Sequence, residues 1–315
     1  MAVAAERAAA LHSFTKEPIE VDMKPLRRIR HSLSVKRSPQ AKALLLTEVV
    51  VGVASAVSSL EALWAATRQE ADEDILRWRL AREMVSSGSR TLLKALDATS
   101  GAVAERTVEG ARLAAAVSLL APWTSTRTRA AALTWLAASS ALTYRRRSFQ
   151  SDGSDQLLFQ VQTATALARL SGDRRITDTC LWYISLQSVL AYSVAGYSKV
   201  AGSQWRSGAA LSGILRTEMY GSKWAFDLVQ EHPRVARMAN IAVIAGECCF
   251  PLLYFIKKGT LARHFALTAG SFHLVNTCTM GLGRFFWAFT SSYPALIYTA
   301  RQVTENRSMT PNEII

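Results

Sequence analysis

The chain has little of what soluble active sites are commonly built from. Its 315 residues include four cysteines and five histidines, and no histidine stands between His31 and His232. Cys180, Cys248, Cys249 and Cys278 all lie in apolar stretches, where thiols either pack as small hydrophobes or serve redox and metal chemistry. The adjacent pair Cys248 and Cys249 points to different faces of a helix and lacks CxxC spacing. No ATP-binding loop, metal-ligand cluster or serine-hydrolase elbow occurs. Charge thins after about position 110, leaving short basic punctuation (RTR, RRR, DRR, KK) between apolar runs.

Half the residues are hydrophobic, the mean hydropathy is slightly positive at +0.10, and the formal charge is +13. The excess charge does not point to nucleic acid, because no stripe of arginines interleaves with stacking aromatics. The basic residues cluster instead at the ends of apolar segments, as in the cytoplasmic loops of membrane proteins. The layout predicts an all-α polytopic membrane bundle of about eight transmembrane helices, since backbone crossing lipid must satisfy its own hydrogen bonds.

Residues 1–42 are polar and basic, with KPLRRIRHSLSVKRSP as a tail facing anionic lipid on the cytoplasmic side. The first apolar run comes too late for a cleavable signal, and Glu6, Glu17, Glu20 and Asp22 fit an organelle transit peptide poorly. The transmembrane domain is expected over 43–301, with spans at 43–66, 102–123, 128–144, 156–171, 178–198, 237–256, 260–281 and 285–301. Between the first two, residues 67–100 read as an amphipathic excursion on the membrane surface. Span one contains Glu48 about one turn from its polar start, within reach of water. Glu105, Arg106, Glu109 and Arg112 pair along the first half of span two; that helix either projects beyond the bilayer, the preferred reading, or turns these charges into the bundle. Asp155, after the turn Asp152-Gly153-Ser154, is a candidate cap for span four. Pro294 should kink span eight without preventing a crossing, and 302–315 form a short C-terminal tail. With the N-terminus cytoplasmic, the turns holding Arg127, Arg129, Arg174, Arg175, Lys257 and Lys258 fall inside, and the triplet Arg145 to Arg147 falls outside, against the trend.

Two stretches carry candidate chemistry. Span five runs into AGYSKVAGSQWRSG, which sets Lys199, Trp205 and Arg206 where an apolar helix meets the far surface. Span seven contains FHLVNTCTMGLGRF, with His273 and Asn276 on adjacent turns. The two strings resemble the paired signatures of the vitamin K-dependent gamma-carboxylase superfamily, in which an apolar helix ends in lysine followed by tryptophan and glycine. In the second string Phe272, His273, Asn276, Gly283 and Phe285 stand in matching places. In length the chain resembles the shorter bacterial members, the horizontally transferred transmembrane domain (HTTM) proteins, which include the membrane protein of the sporulation-delaying antimicrobial-peptide system.

The resemblance covers roughly 43–300. It implies Lys199 as a base acting on a reduced quinone, with a peptide as the eventual substrate. The animal carboxylase has a catalytic histidine near the turn at 152–155, where this chain has none. It also has a large extracytoplasmic peptide-binding domain, with no counterpart after span eight; a soluble partner protein carrying that role would favour an enzymatic function.

Read from the residues alone, Lys199 is either a snorkelling anchor or a base whose pKa is lowered by desolvation. His273 and Asn276 either orient a substrate or bond neighbouring helices. Glu247, in the middle of span six, is costly there unless protonated or paired, by about 2.5–3.5 kcal/mol. Lys199, His273 and Asn276 are expected to converge on one cavity open to the extracytoplasmic side, with Trp205 and the segment 199–236 as its cover. Two function classes follow. One is a membrane-embedded enzyme or peptide-maturation factor in the plasma membrane; the other is a non-catalytic membrane scaffold, assembly subunit or transport-related partner.

Overall fold

The computed structural model describes residues 37–67, 78, 82, 90–146, 153–217, 220–256 and 260–308. The described residues are all-helical, without a strand. The expected spans fall on long helices, the sixth only in part: α1 (Pro39–Thr67), α3 (Ala102–Leu120), α4 (Thr126–Arg146), α5 (Gly153–Ser171), α6 (Arg174–Ala201), α10 (Pro233–Cys248), α11 (Thr260–Met280) and α12 (Gly283–Ser308). Short helices fill the gaps, α2 (Arg90–Ala98) before α3, and α7 (Ser203–Ser207), α8 (Ala210–Leu215) and α9 (Lys223–Glu231) between α6 and α10.

Side-chain contacts fix the direction of the long helices. Gln40 near the start of α1 donates to the Arg174 carbonyl at the start of α6 (2.7 Å). Glu48 on α1 meets Arg129 at the start of α4 and Arg169 at the end of α5. These residues define one end of the bundle, the first end. At the other, Arg284 at the start of α12 reaches Glu61 of α1 (3.5 Å) and Asp155 of α5 (4.0 Å). α10 runs against α6: Gly196 faces Cys248, Tyr192 stacks on Phe250 and Ser185 bonds Tyr254. α12 also runs against α6, with Tyr293 beside Tyr192, Thr299 beside Ser185 and Gln302 beside Trp182. The result is an alternating up-and-down bundle. Gly172 (φ 62°) and Gly281 (φ 71°) make its two tightest turns, where a left-handed backbone excludes most other residues.

The helices bury polar residues and expose apolar ones. Thr47, Glu48, Ser55, Ser59, Gln162 and Ser185 have no exposed surface, whereas Leu190, Val194, Tyr197, Met238, Leu267 and Val275 are each more than half exposed. Beside a small second cluster that joins Trp78 to Leu96, the main core cluster runs from Val51 and Leu119 through Leu133, Val161 and Leu181 to Phe250 and Leu296. Many of its members are alanines, such as Ala164, Ala166, Ala168, Ala262 and Ala266, which let helix backbones approach closely. Among the described residues, one helix is long and apolar enough by length and composition to cross a membrane, α1 over Pro39–Trp64.

Several expectations change. α1 starts at Pro39 rather than 43, and the tail before residue 37 lies outside the described residues. So do most of the 67–100 excursion, Arg147 and the Lys257–Lys258 turn. Of the excursion, α2 is described; its Asp97 accepts from Trp78 Nε1 (3.1 Å) and pairs with Arg82 (2.8 Å). The bond from Arg82 holds this exposed carboxyl below its ordinary pKa.

Glu48 does not reach water. It is fully buried between two guanidiniums. Glu109 and Arg112 do not project beyond the bundle either: they pair with each other inside it (3.2 Å) and bond Ser59, Ser139 and Ser140. A charge pair three residues apart on one helix face is neutral as a unit, so the interior admits it. Span six breaks after Cys248, and a 3₁₀ turn, Phe250–Tyr254, completes it, because Pro251 cannot supply the next helical N–H.

Candidate functional site

Two features bring α10 against the last turns of α6. Gly196 leaves room: a Cβ there would lie 2.7 Å from the Cys248 nitrogen and 2.9 Å from Glu247 Cβ. Three residues on, Lys199 points toward the same neighbour. Its Nζ lies 2.8 and 2.7 Å from the two oxygens of Glu247. Both side chains are largely enclosed, 17% and 9% exposed, so each offsets the desolvation of the other.

α6 then ends at Gly202, whose N–H closes onto the Ser198 and Lys199 carbonyls, and Arg206 donates to Val200 and Ala201. The turn that follows folds Trp205 back, setting Lys199 Nζ 5.1 Å from the indole centroid, within cation–π range.

Beside this pair lies a cavity of about 420 Å³ between α10, the 3₁₀ turn and α11, with Tyr192 of α6 in its wall. Most of the wall is apolar, including Ala242, Phe250, Phe265 and Phe272. Glu247 and Tyr192 are its polar groups toward α6, and His264 and Thr268 line it from α11.

Tyr192 links the cavity to a buried chain of bonds. Its hydroxyl meets His273 Nε2 and Tyr293 Oη, both at 2.8 Å. His273 stacks on Phe289 with ring centroids 4.3 Å apart. Its Nδ1 is buried without a partner, so the ring hydrogen belongs on Nε2, where Tyr192 can accept it.

The expected convergence is therefore redrawn. Lys199 and His273 do not line the cavity; each stands behind a wall residue, Lys199 behind Glu247 and His273 behind Tyr192. Asn276 is half-buried one turn beyond His273 and is not a wall residue. Asp155 sits in the first turn of α5, not at its cap, and belongs with Arg284 at the second end. Trp205 covers the lysine and not the cavity. The sequence reading missed Tyr192 and Tyr293; a hydroxyl in an otherwise apolar run was the available signal for each. Among the described residues, no group of three or more potential metal-binding side chains occurs. Set against protein-family models, curated proteins and solved structures, the chain matches none.

Proposed function

We propose that this is an integral membrane protein of eight spans, akin to the gamma-carboxylase-like HTTM superfamily it resembles, acting on a lipid-soluble substrate at the Glu247 wall. The observation that carries the reading is a buried ion pair at the edge of an apolar cavity. The inverted surface, with hydroxyls and ion pairs inside and Leu190, Met238 and Leu267 outside, supports the membrane setting. Loop charge favours a plasma-membrane orientation with the first end cytoplasmic, which puts Trp205 on the extracytoplasmic side.

The cavity residues fit a reduced quinone, the cofactor that the resemblance implies: Phe250, Phe265 and Phe272 suit a flat ring, and Glu247 and Tyr192 suit a ring hydroxyl. When bound, such a group supplies reducing electrons and an acidic hydroxyl. The chain's own part is to hold one proton between Lys199 Nζ and the Glu247 oxygens. With the proton on Lys199, a carboxylate faces the cavity and can accept a hydroxyl proton, while the ammonium behind it balances the charge left in the cavity. With the proton moved to Glu247, the amine is free, the base form that the resemblance assigns to Lys199. Either arrangement exchanges protons without a net charge entering the interior. An exported peptide would be met at the second end, near Trp205.

Mass spectrometry of gently extracted protein tests the reading. A ring-hydroxyl lipid should co-purify with the wild type and be lost from Thr268→Trp, which narrows the cavity from an exposed position on α11. If no such lipid is bound, or Thr268→Trp retains it equally, the substrate site fails and the non-catalytic scaffold reading takes its place.

A further inference from the structure

The first end of the bundle carries a second cavity, of about 650 Å³, in the groove between α4 and α5. Along α4 it runs from Thr126 to Ala138, past Ala131, Thr134 and Trp135, and on α5 it is closed by Arg169 and Leu170. Among the described residues, its charged wall members are Arg127 and Arg169, with no acidic one.

The charge balance beneath the groove is uneven. Glu48, with no exposed surface, accepts from Arg169 through both of its oxygens and from Arg129 Nη1 at 3.3 Å. Two guanidiniums thus share one carboxylate. Arg129 spends its remaining bonds on the Leu119 and Ala121 carbonyls at the end of α3 (3.0 and 2.9 Å), where the helix dipole is negative. Arg169 has no such carbonyl partners among the described residues: its Nε and Nη2 bond Glu48, and the side chain lines the groove. Its side chain is 17% exposed. Arg127, at the rim, is exposed and has no partner among the described residues.

We propose that this groove binds an anionic glycerophospholipid, its phosphate on Arg127 and Arg169 and one acyl chain along Ala131, Thr134 and Ala138. Charge complementarity selects the headgroup, since a guanidinium that shares its carboxylate with a second one, and an exposed guanidinium, face an opening whose described wall has no carboxylate. Length selects a lipid over free phosphate. From Thr126 to Ala138 the groove runs about 18 Å along α4, against about 15 Å for the hydrocarbon of one leaflet. Trp135 stands along the chain path as an apolar wall. The proposal rests on the membrane reading above and places the lipid in the cytoplasmic leaflet, which is the anionic one.

Native mass spectrometry of the full chain from nanodiscs of equimolar phosphatidylglycerol and phosphatidylcholine tests it. The wild type should retain phosphatidylglycerol selectively. Arg127→Gln, which removes an unpaired surface charge, should lower that selectivity about fivefold, and Ala131→Trp should abolish retention by filling the groove. Equal retention of the two lipids, or a wild-type profile for Arg127→Gln, overturns the proposal. So does displacement by inorganic phosphate on equal terms, which would make the site one for the free anion. Should Ala131→Trp fail to fold, Arg127→Gln alone decides. A chain that stays in the aqueous phase without detergent overturns the membrane reading itself, whereas a membrane-embedded chain indifferent to headgroup overturns this site alone.

Discussion

A buried ion pair is most informative when its sign can be reversed. Glu247→Lys places a second ammonium where Lys199 already stands, and an uncompensated buried charge of this kind costs about 3–5 kcal/mol. The variant should therefore express poorly and melt well below the wild type in detergent, while Glu247→Gln, which keeps a hydrogen-bond acceptor for Nζ, should fold. The swapped double variant Lys199→Glu with Glu247→Lys should regain most of the loss; if it melts no higher than Glu247→Lys alone, the two residues do not pair. Lys199, Glu247 and His273 were legible in the sequence because a polar group in a long apolar run is conspicuous. Their partners were not. Tyr192 is 81 residues from His273 and 101 from Tyr293, and which faces of distant helices meet is set by packing that no local pattern records.

The long helices were legible as apolar runs, yet what their charged faces do was not. In α3 the sequence shows Glu109 and Arg112 one turn apart but not the Ser59, Ser139 and Ser140 hydroxyls that α1 and α4 bring to them. Arg112→Met should leave Glu109 buried without its cation and lower stability by about 3–5 kcal/mol. Adding Glu109→Gln should recover a large part of that, read as the difference between two melting curves. The α6–α10 contact makes a steric prediction. Gly196→Val should force α10 away from Cys248 at a cost of about 1–3 kcal/mol and lengthen the Lys199–Glu247 separation; a variant as stable as the wild type would mean that the helices are not held at this distance. The 3₁₀ turn escaped the sequence reading because Pro251 marks a break but not whether the chain turns away or continues along α6 beyond it.

For the molecule as a whole, alternation of direction was legible from the number of apolar segments and from where basic residues gather between them. On the membrane reading proposed above, that pattern carries an orientation. In a chain stripped of its four native cysteines, a cysteine replacing Trp205 should label from the extracytoplasmic side, and one replacing Trp123, exposed in the α3–α4 turn, only from the cytoplasm. The opposite result for both would invert the protein in its membrane.

The closure of the bundle has a further consequence for biosynthesis. α12 packs extensively against α1, and Arg284 at its start joins Glu61 to Asp155. Among the described helices, the first to leave the ribosome is thus completed by the last. Until α12 emerges, one side of α1 is left without its neighbour, and on the membrane reading proposed above the nascent chain must be shielded by lipid or by an insertion chaperone until then. A chain stopped at Leu282 should accordingly insert and then be degraded, and co-expression of residues 283–308 as a separate segment should extend its half-life in a pulse–chase experiment.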